Sequence, residues 1–374
     1  MNIAIGRHHA DASKRGWQYR LHLDAPLLFV LIGVCTYGLI VLYSAGGGSI
    51  EIVERQLVRL AIAFTGMFVV AQVPPRLLQR LTPWAFVIGV LFLLAVLVIG
   101  ETSGGAQRWL DLYVVRFQPS EIMKLAVPMM VASYLADSRL PPNRWQLLTA
   151  AVLIAVPMLM IAKQPDLGTA LLIASSGFFV VFLAGLQWRL LAFFSLLTTA
   201  ATPVIWHFMH EYQRQRVITL LNPESDPLGS GYHIIQSKIA IGSGGLFGKG
   251  WLNGTQSQLD FLPERSTDFI FAVLGEEFGF LGILLLFAFY AIIVVRGMMI
   301  AIQAQDTYTR LLAGSIAMTF CVYFIVNTGM VTGLLPVVGL PLPMISYGGT
   351  SIVTMMAGFG ILMSIQTHRK LLAT

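Results

Sequence analysis

Charged residues are scarce in this sequence. Asp, Glu, Lys and Arg make up only 11% of the 374 residues, whereas a soluble domain typically contains about 25%. Because 56% of the residues are hydrophobic, the polar side chains cannot cover a water-exposed surface. This composition excludes a soluble globular protein. The apolar residues form continuous runs of roughly 20 residues, the length of a membrane-spanning helix. The sequence therefore predicts an all-α polytopic membrane protein.

Cysteine is also scarce, and acidic residues are outnumbered by basic ones. The two cysteines, Cys35 and Cys321, both lie inside apolar runs, so they do not indicate a disulfide framework. The chain has 24 Lys and Arg against 18 Asp and Glu, but no basic tail or aromatic-basic patch. Basic residues of a membrane protein serve its orientation first. We therefore expect no nucleic-acid partner.

The apolar runs predict about ten transmembrane helices in a membrane domain at residues 25–366. Their approximate bounds are 25–44, 57–73, 83–100, 120–136, 147–163, 168–187, 190–209, 269–295, 311–334 and 341–366. The short connections on one side are rich in Lys and Arg, which predicts that this side is cytoplasmic. The N-terminal segment 1–24 and the tail 367–374 lie on the same side. Both termini are thus expected in the cytoplasm.

One connection on the opposite side, residues 210–268, is too long to be a simple turn. Loops of this length are usually functional or disordered. Its many large apolar residues, including Trp251 and Phe261, argue against disorder. We expect amphipathic segments that lie at the outer, periplasmic membrane surface.

Four charged residues near predicted helix ends are candidates for a site. Glu121 and Lys124 are three residues apart in QPSEIMKLA, which places them on one helix face. Charges in a span normally point into a cavity or pair with each other, so the two form either a structural ion pair or part of a site. Asp166, with Lys163 nearby, either caps the following helix or contributes a carboxylate.

Basic residues and glycines on the outer side suggest an anion. Arg214 and Arg216 in YQRQRV suit phosphate recognition, or they contact lipid or loop residues. GSGGLFGKG (242–250), which contains Lys249, lacks the required residues of a phosphate loop, because Gly250 replaces the Ser or Thr. We interpret it as a flexible turn, with anion contact by its N–H groups as the alternative.

Two polar stretches border the last spans. GLPLPMISYGGTS (339–351), with Ser346, indicates either a reshaped helix that lines a cavity or close helix packing. PERSTDFIF (263–271) places Asp268 at the threshold of the eighth span, after Glu264, Arg265 and Thr267. Asp268 either caps that helix or serves as a catalytic carboxylate.

Several of these segments together resemble the signatures of one family. They are FLPERSTDFIFAVLGEEFG, GYHIIQSKIAIGSGGLFGKGW, AQRWLDL, VRFQPSEIMKLAVP, QPDLGTA and PLPMISYGGTS. They are similar to those of the SEDS family (shape, elongation, division and sporulation), over essentially all of residues 20–370. Arg265, Trp251 and the QRQRV–PESDPLG run resemble the elongation branch of the family. Ser266 stands where some relatives carry His, which puts a histidine contribution at that position in doubt.

The resemblance implies a peptidoglycan glycosyltransferase of the bacterial inner membrane that acts during cell elongation and maintains rod shape. Its substrates would be lipid II, the undecaprenyl-diphosphate-linked disaccharide-pentapeptide, and the nascent glycan strand. Its partners would be a class B penicillin-binding protein transpeptidase and other membrane proteins of the elongation complex. Asp268 matches the essential aspartate of the family, and Glu121 and Lys124 match a charged pair that lines its central cavity.

The candidate residues agree with this chemistry. The leaving group is a lipid diphosphate that is stable as an anion, so one general base suffices where glycoside hydrolases need two carboxylates. The diphosphate charge would be stabilised by Lys and Arg or by a divalent cation, Mg or Mn. The alternative is a lipid II flippase or other transporter, which should show broken helices at corresponding positions of two halves. An inactive scaffold would leave Asp268 and the charged pair unexplained.

Overall fold

The structure is a computed structural model that describes residues 21–369, except 104–105, 112–115, 210, 227–228, 260 and 263. Most of the predicted N-terminal segment 1–24 and tail 367–374 thus lies outside the described residues. The helices are α1 Ala25–Ala45, α2 Ile50–Gln72, α3 Pro75–Ile99, α4 Pro119–Ala136, α5 Arg144–Ala162, α6 Leu167–Leu183, α7 Trp188–Phe208, α8 Glu211–Leu221, α9 Ser230–Gly244, α10 Thr255–Gln258, α11 Ile270–Ile302, α12 Thr307–Val331 and α13 Thr350–Thr367. A 3₁₀ turn covers Pro223–Ser225.

The ten predicted spans correspond to α1–α7 and α11–α13, which confirms an all-α polytopic membrane protein. Within the described ranges, six helices are long and apolar enough to cross a membrane: α1, α3, α5, α11, α12 and α13. Because each predicted span crosses the bundle once, consecutive connections lie at opposite ends of it. We call the end that carries α8, α9 and α10 the loop face, and the opposite end the turn face.

Short-range signals in the sequence explain where several helices begin. Asp24 caps α1 by accepting a hydrogen bond from the Leu27 N–H at 3.1 Å. Asn143 caps α5 and forms a capping box with Gln146. Pro75 and Pro119 stand at the first position of α3 and α4, where the missing N–H costs no hydrogen bond.

Small residues let the spanning helices approach closely. The α2–α13 pair shows this at Gly360, where an added Cβ would lie 2.5 Å from the Met67 carbonyl oxygen. In a membrane such close packing drives helix association, because lipid tails are as apolar as the side chains. The helices α11, α12 and α6 pack side by side in the same bundle.

The long connection at 210–268 folds into α8, α9 and α10, as its apolar content predicts. Its glycine-rich segment 242–250 packs against a break in the 33-residue helix α11, where Gly279 has φ 64° and ψ −161°. The N–H groups of Lys249 and Gly250 donate to the carbonyls of Glu276 and Glu277 at 3.0 and 3.1 Å. These contacts favour the interpretation of the segment as a turn, since these two N–H groups already have protein acceptors.

Two elements were not predicted. The connection between α3 and α4 contains a small antiparallel sheet with strand order β1–β2–β3, formed by Glu101–Ser103, Ala106–Asp111 and Arg116–Phe117. The last span begins at Thr350 and not at 341. Prolines at 341 and 343 cannot donate backbone hydrogen bonds, which disfavours a helix around them, and residues 332–349 form a non-helical segment at the loop face. We call 332–349 the re-entrant segment.

Candidate active site

Asp268 lies in the turn that precedes α11, with its side chain half-buried. The N-cap residue of α11 is Phe269, and it makes no side-chain capping bond. Of the two interpretations of Asp268, the helix cap is therefore wrong. The turn is instead closed by backbone bonds from the N–H groups of Thr267 and Phe269 to the Glu264 carbonyl, at 3.1 and 3.2 Å. The Asp268 carboxylate remains available for another role.

Burial and a neighbouring carboxylate make Asp268 a stronger base than an ordinary aspartate. Burial, and to a smaller extent the negative charge of Glu264, raises the pKa of Asp268 from 3.8 to about 6. The group is still ionised at neutral pH. A pKa just below the working pH is the range in which a carboxylate acts well as a general base.

The re-entrant segment holds the backbone around Asp268. Ser346 donates from Oγ to the Thr267 carbonyl at 2.6 Å and accepts from the Leu342 N–H at 2.7 Å. The Tyr347 N–H donates to the Ser266 carbonyl at 2.8 Å. Ser346, a predicted supporting residue, thus contacts the backbone of the turn through its hydroxyl group.

Two residues that the sequence analysis missed also contact this turn. Asn327, buried in α12, donates from Nδ2 to the carbonyls of Asp268 and Leu340 at 3.0 and 2.7 Å. A single Asn in a span was its signal, since such residues normally have a partner. His233 of α9 stacks on the Phe269 ring with centroids 5.4 Å apart.

Glu264 and Thr267 form a pair on the exposed side of the turn. Thr267 donates from Oγ1 to Glu264 Oε2 at 2.6 Å. Gly339 of the re-entrant segment also lies close to the carboxylate, since a Cβ there would lie 3.4 Å from Asp268 Oδ2. Asp268 is thus enclosed between its own turn and the re-entrant segment.

Glu121 and Lys124 form the ion pair expected from their spacing. Lys124 Nζ lies 2.8 Å from Glu121 Oε1, and the two side chains are only 9% and 8% exposed. Lys124 Nζ also lies 5.5 Å from the ring centroid of Tyr323 on α12. The second oxygen of Glu121, Oε2, is buried without a hydrogen-bond partner among the described residues.

A cleft of about 590 Å³ extends from Glu121 to the re-entrant segment. It lies between α2, α4 and α13, and its lining includes Glu121, Arg59, Gln118 and Gly349. Arg59 places its guanidinium 4.1 Å from the ring centroid of Tyr347. Gln56, one turn earlier, donates to the Ser346 carbonyl at 3.3 Å. The cleft thus extends from Glu121 to Gly349 of the re-entrant segment, whose Ser346 contacts the Asp268 turn.

Asp166 caps α6, which agrees with the simpler of its two interpretations. Its Oδ1 accepts from the Thr169 N–H at 3.2 Å, and its Oδ2 lies 3.6 Å from Arg108 Nε. Arg108, on β2, also donates to the Pro165 carbonyl at 2.7 Å. Lys163 is exposed and makes no ion pair with a described residue.

Other predicted basic residues are engaged by protein groups. Lys249 Nζ lies 2.8 Å from Glu276 Oε1 inside the break of α11. Arg265 donates to the Ser257 carbonyl. The Lys249 ion pair attaches the loop to α11 and accounts for the carboxylate of Glu276 inside a span, whereas the Arg265 bond joins two parts of the loop.

The two arginines after α7 lie on α8. Arg214 donates to the carbonyls of Trp206 and His207 at 3.0 and 2.6 Å, so it stabilises the α7–α8 junction. Arg216 is half-buried two residues further along the same helix. Any part of these residues in diphosphate binding stays a prediction.

The arrangement can accept a proton at the membrane boundary. Asp268 combines a raised pKa, a rigid backbone and a position directly before the apolar helix α11. In the described ranges, no group of three or more His, Cys, Asp or Glu side chains could hold a metal ion by itself.

A family model described as "Cell cycle protein", FtsW/RodA/SpoVE, matches residues 25–371. The peptidoglycan glycosyltransferase MrdB of Escherichia coli K12 is 54% identical over 364 residues, which cover 97% of this chain and 98% of that protein. The peptidoglycan glycosyltransferase RodA of Treponema pallidum is 31% identical, with 92% of this chain and 98% of that protein covered.

Solved structures give the same result. A chain from a peptidoglycan synthase complex, described for its structural coordination of polymerization and crosslinking, has a TM-score of 0.81 and 32% identity, and covers 93% of this chain and 98% of that chain. The rod shape determining protein RodA of Thermus thermophilus has a TM-score of 0.70 and 28% identity, with 93% and 98% covered.

Proposed function

The chain belongs to the FtsW/RodA/SpoVE family of cell cycle proteins, the SEDS family, and from this membership we propose a peptidoglycan glycosyltransferase in which Asp268 is the general base. The enzyme class rests on relatives that are named peptidoglycan glycosyltransferases and match over nearly the whole chain. The enzyme is a polytopic membrane protein that takes part in determining cell shape. The observation that carries the role of Asp268 is its half-buried carboxylate in the turn before α11, which makes no hydrogen bond with a described residue and has a pKa of about 6.

The substrate is lipid II, joined to a growing glycan strand. The acceptor hydroxyl attacks the anomeric carbon of the donor, and the bond between that carbon and the diphosphate oxygen breaks. The diphosphate leaves with the electron pair, while the hydroxyl proton passes to Asp268. No general acid is needed, because the leaving diphosphate is stable as an anion. One carboxylate at the membrane boundary suits a lipid-anchored donor and a water-exposed glycan.

Positive charge must balance the departing diphosphate. Arg59 lies at the cleft beside the re-entrant segment, with its guanidinium over the Tyr347 ring, so it is a candidate for this role. A divalent cation, Mg or Mn, is the alternative, and the carboxylates beside the site are suitable ligands for it. Mg²⁺ is usually held by one or two carboxylates together with substrate phosphates, and Asp268 and Glu264 are neighbouring carboxylates. It would supply charge stabilisation to the leaving group.

We place the loop face on the periplasmic side of the inner membrane, with both termini in the cytoplasm. The helix ends and turns at the opposite end carry Arg76 and Arg80 in the first turns of α3, Arg139 in the α4–α5 connection and Arg144 at the start of α5, which favours a cytoplasmic position for that end. The expected partner is a class B penicillin-binding protein transpeptidase, together with other membrane proteins of the elongation complex. A structural relative that comes from a synthase complex for polymerization and crosslinking supports a crosslinking partner.

The flippase alternative has less support. It would require broken helices in corresponding halves of the bundle. The break at Gly279 is closed by backbone hydrogen bonds from the loop, including the Phe280 N–H to the Gly245 carbonyl at 3.0 Å. Such a filled break provides no obvious passage for a substrate.

The direct test is polymerisation of lipid II by the purified chain, with and without its transpeptidase partner, followed by gel analysis of the glycan. Sidedness is tested with Cys35 and Cys321 replaced by Ala. A Cys at the exposed position Asn253 should react with an impermeant thiol reagent in spheroplasts, whereas a Cys at the exposed position Asp137 should react only after permeabilisation. Reversed labelling would remove the proposed orientation and with it the role of Asp268.

A further inference from the structure

A second and larger cleft lies between α5 and α6, away from Asp268. Its volume is about 930 Å³. Along most of its length the lining is apolar, with Leu147, Ala151, Ala155, Met158, Phe178 and Val181. Polar residues, namely Asn143, Arg144 and Gln187, are confined to its end at the turn face. The cleft thus matches a single lipid molecule, which has a polar headgroup at one end and apolar acyl chains along the rest of its length.

Two tryptophans mark the depth of the polar end in the membrane. Trp145 directly follows Arg144, and Trp188 directly precedes Arg189. The two tryptophans are 71% and 80% exposed. Exposed Trp side chains of membrane proteins concentrate at the level of the lipid headgroups. Arg144 is therefore at headgroup level, and the apolar lining extends from there into the hydrocarbon region.

Arg144 has no acidic partner among the residues that the structure describes. Its side chain is exposed, and it makes no ion pair or hydrogen bond with the described part of the chain. None of the described residues that line the cleft is acidic. The N–H groups of Trp145 and Gln146 at the start of α5 already donate to Asn143 Oδ1 at 3.0 Å. An anion at this end of the cleft would therefore bind to the Arg144 guanidinium and not to these N–H groups.

We propose that the α5–α6 cleft binds an anionic glycerophospholipid, whose phosphate contacts Arg144 and one of whose acyl chains lies along the cleft. Basic pockets between transmembrane helices are recognised sites for anionic headgroups. Arg offers phosphate two parallel N–H donors, and the apolar lining offers an acyl chain a continuous contact surface. A transmembrane helix of a partner protein fits less well, because it would have to bring a carboxylate to Arg144, whereas the phospholipid carries its own charge.

The test uses the full-length chain in detergent and native mass spectrometry, with phosphatidylglycerol or phosphatidylcholine added in increasing amounts. We expect the wild-type chain to retain one phosphatidylglycerol in preference to phosphatidylcholine. Arg144→Gln should weaken retention of phosphatidylglycerol about fivefold, the effect of one basic residue near the membrane surface. Arg144→Lys should keep most of the binding. Ala155→Phe fills the cleft and should weaken retention of both lipids.

Matched controls separate the site from general effects of charge and bulk. Arg76→Gln removes an exposed charge at the same face, and Ala288→Phe adds the same bulk at an exposed position of α11. Both should bind phosphatidylglycerol like the wild type. Equal retention by Arg144→Gln and wild type, or no preference between the two lipids, would overturn the proposal. So would efficient disulfide crosslinking of Ala155→Cys to a second protein chain, which would assign the cleft to a protein partner.

Discussion

Replacement of Asp268 by Asn should abolish polymerisation and leave the fold intact. The substitution keeps the shape of the side chain but removes the group that accepts the proton. General-base catalysis typically contributes about 10²–10⁴ in rate, so the barrier should rise by roughly 3–5 kcal/mol. Because Asp268 makes no cap on α11, no backbone hydrogen bond is lost with the carboxylate.

The same substitution should stabilise the protein at neutral pH. The pKa of Asp268 rises from 3.8 to about 6 on folding, chiefly through burial. A shift of this size corresponds to as much as about 3 kcal/mol against the ionised form. A raised pKa favours folding at low pH, and that contribution is lost as pH rises from about 4 through about 6. The Asn variant should therefore gain stability over the wild type across this window and keep the gain above it.

The assay combines gel analysis of polymer formed from lipid II with denaturation curves of both proteins at several pH values. The wild-type rate should increase with pH with a midpoint near 6 and level off at higher pH, since the ionised carboxylate is the base. Asp306→Asn, the same change at an exposed position on the turn face, is the matched control and should leave the activity unchanged. Normal polymer from the Asp268→Asn protein, or a rate independent of pH between 5 and 7, would refute the reasoning.

Three further outcomes are expected. Glu264→Gln should move the midpoint of the pH–rate profile below that of the wild type, since it removes a negative charge that raises the pKa of the base; an unchanged midpoint would contradict this. Lys124→Ala should destabilise the chain by about 3–5 kcal/mol in denaturation assays, because it leaves the buried Glu121 unpaired. The double change Glu121→Gln/Lys124→Met should restore stability, and full activity of this double variant would make the pair purely structural. Gly279→Ala should destabilise the loop by more than about 1 kcal/mol, because φ is 64° and a Cβ would lie 2.3 Å from a backbone nitrogen; Gly66→Ala, with open space around it, is the control, and equal effects would sink the argument.

The loop, unlike the spans, was predicted only in outline. Its apolar residues indicate an ordered structure, and its glycines indicate turns. That these glycines fill a break in α11 was not predictable, because the break depends on backbone contacts between residues about 30 positions apart in the chain. The same holds for Lys249, whose predicted role with an anion competes with its ion pair to Glu276.

The sequence by itself determined the features that act over short distances along the chain. The shortage of charge makes lipid the solvent, and each apolar run of about 20 residues must form its own helix there, because unpaired backbone groups are too costly in hydrocarbon. The N-caps Asp24, Asn143 and Asp166 act on residues within three positions, so these helix starts follow from local sequence. The spacing of Glu121 and Lys124 likewise predicts their ion pair.

Only the tertiary structure decided which of these groups meet. Asn327 and Ser346 hold the backbone beside Asp268, although they lie 59 and 79 residues from the groups that they bond. Such contacts depend on how the helices pack, and small residues such as Gly360 and Gly339 set that packing through shape, which no local pattern records. The raised pKa of Asp268 arises from the same packing, because burial between the turn and the re-entrant segment is its largest cause.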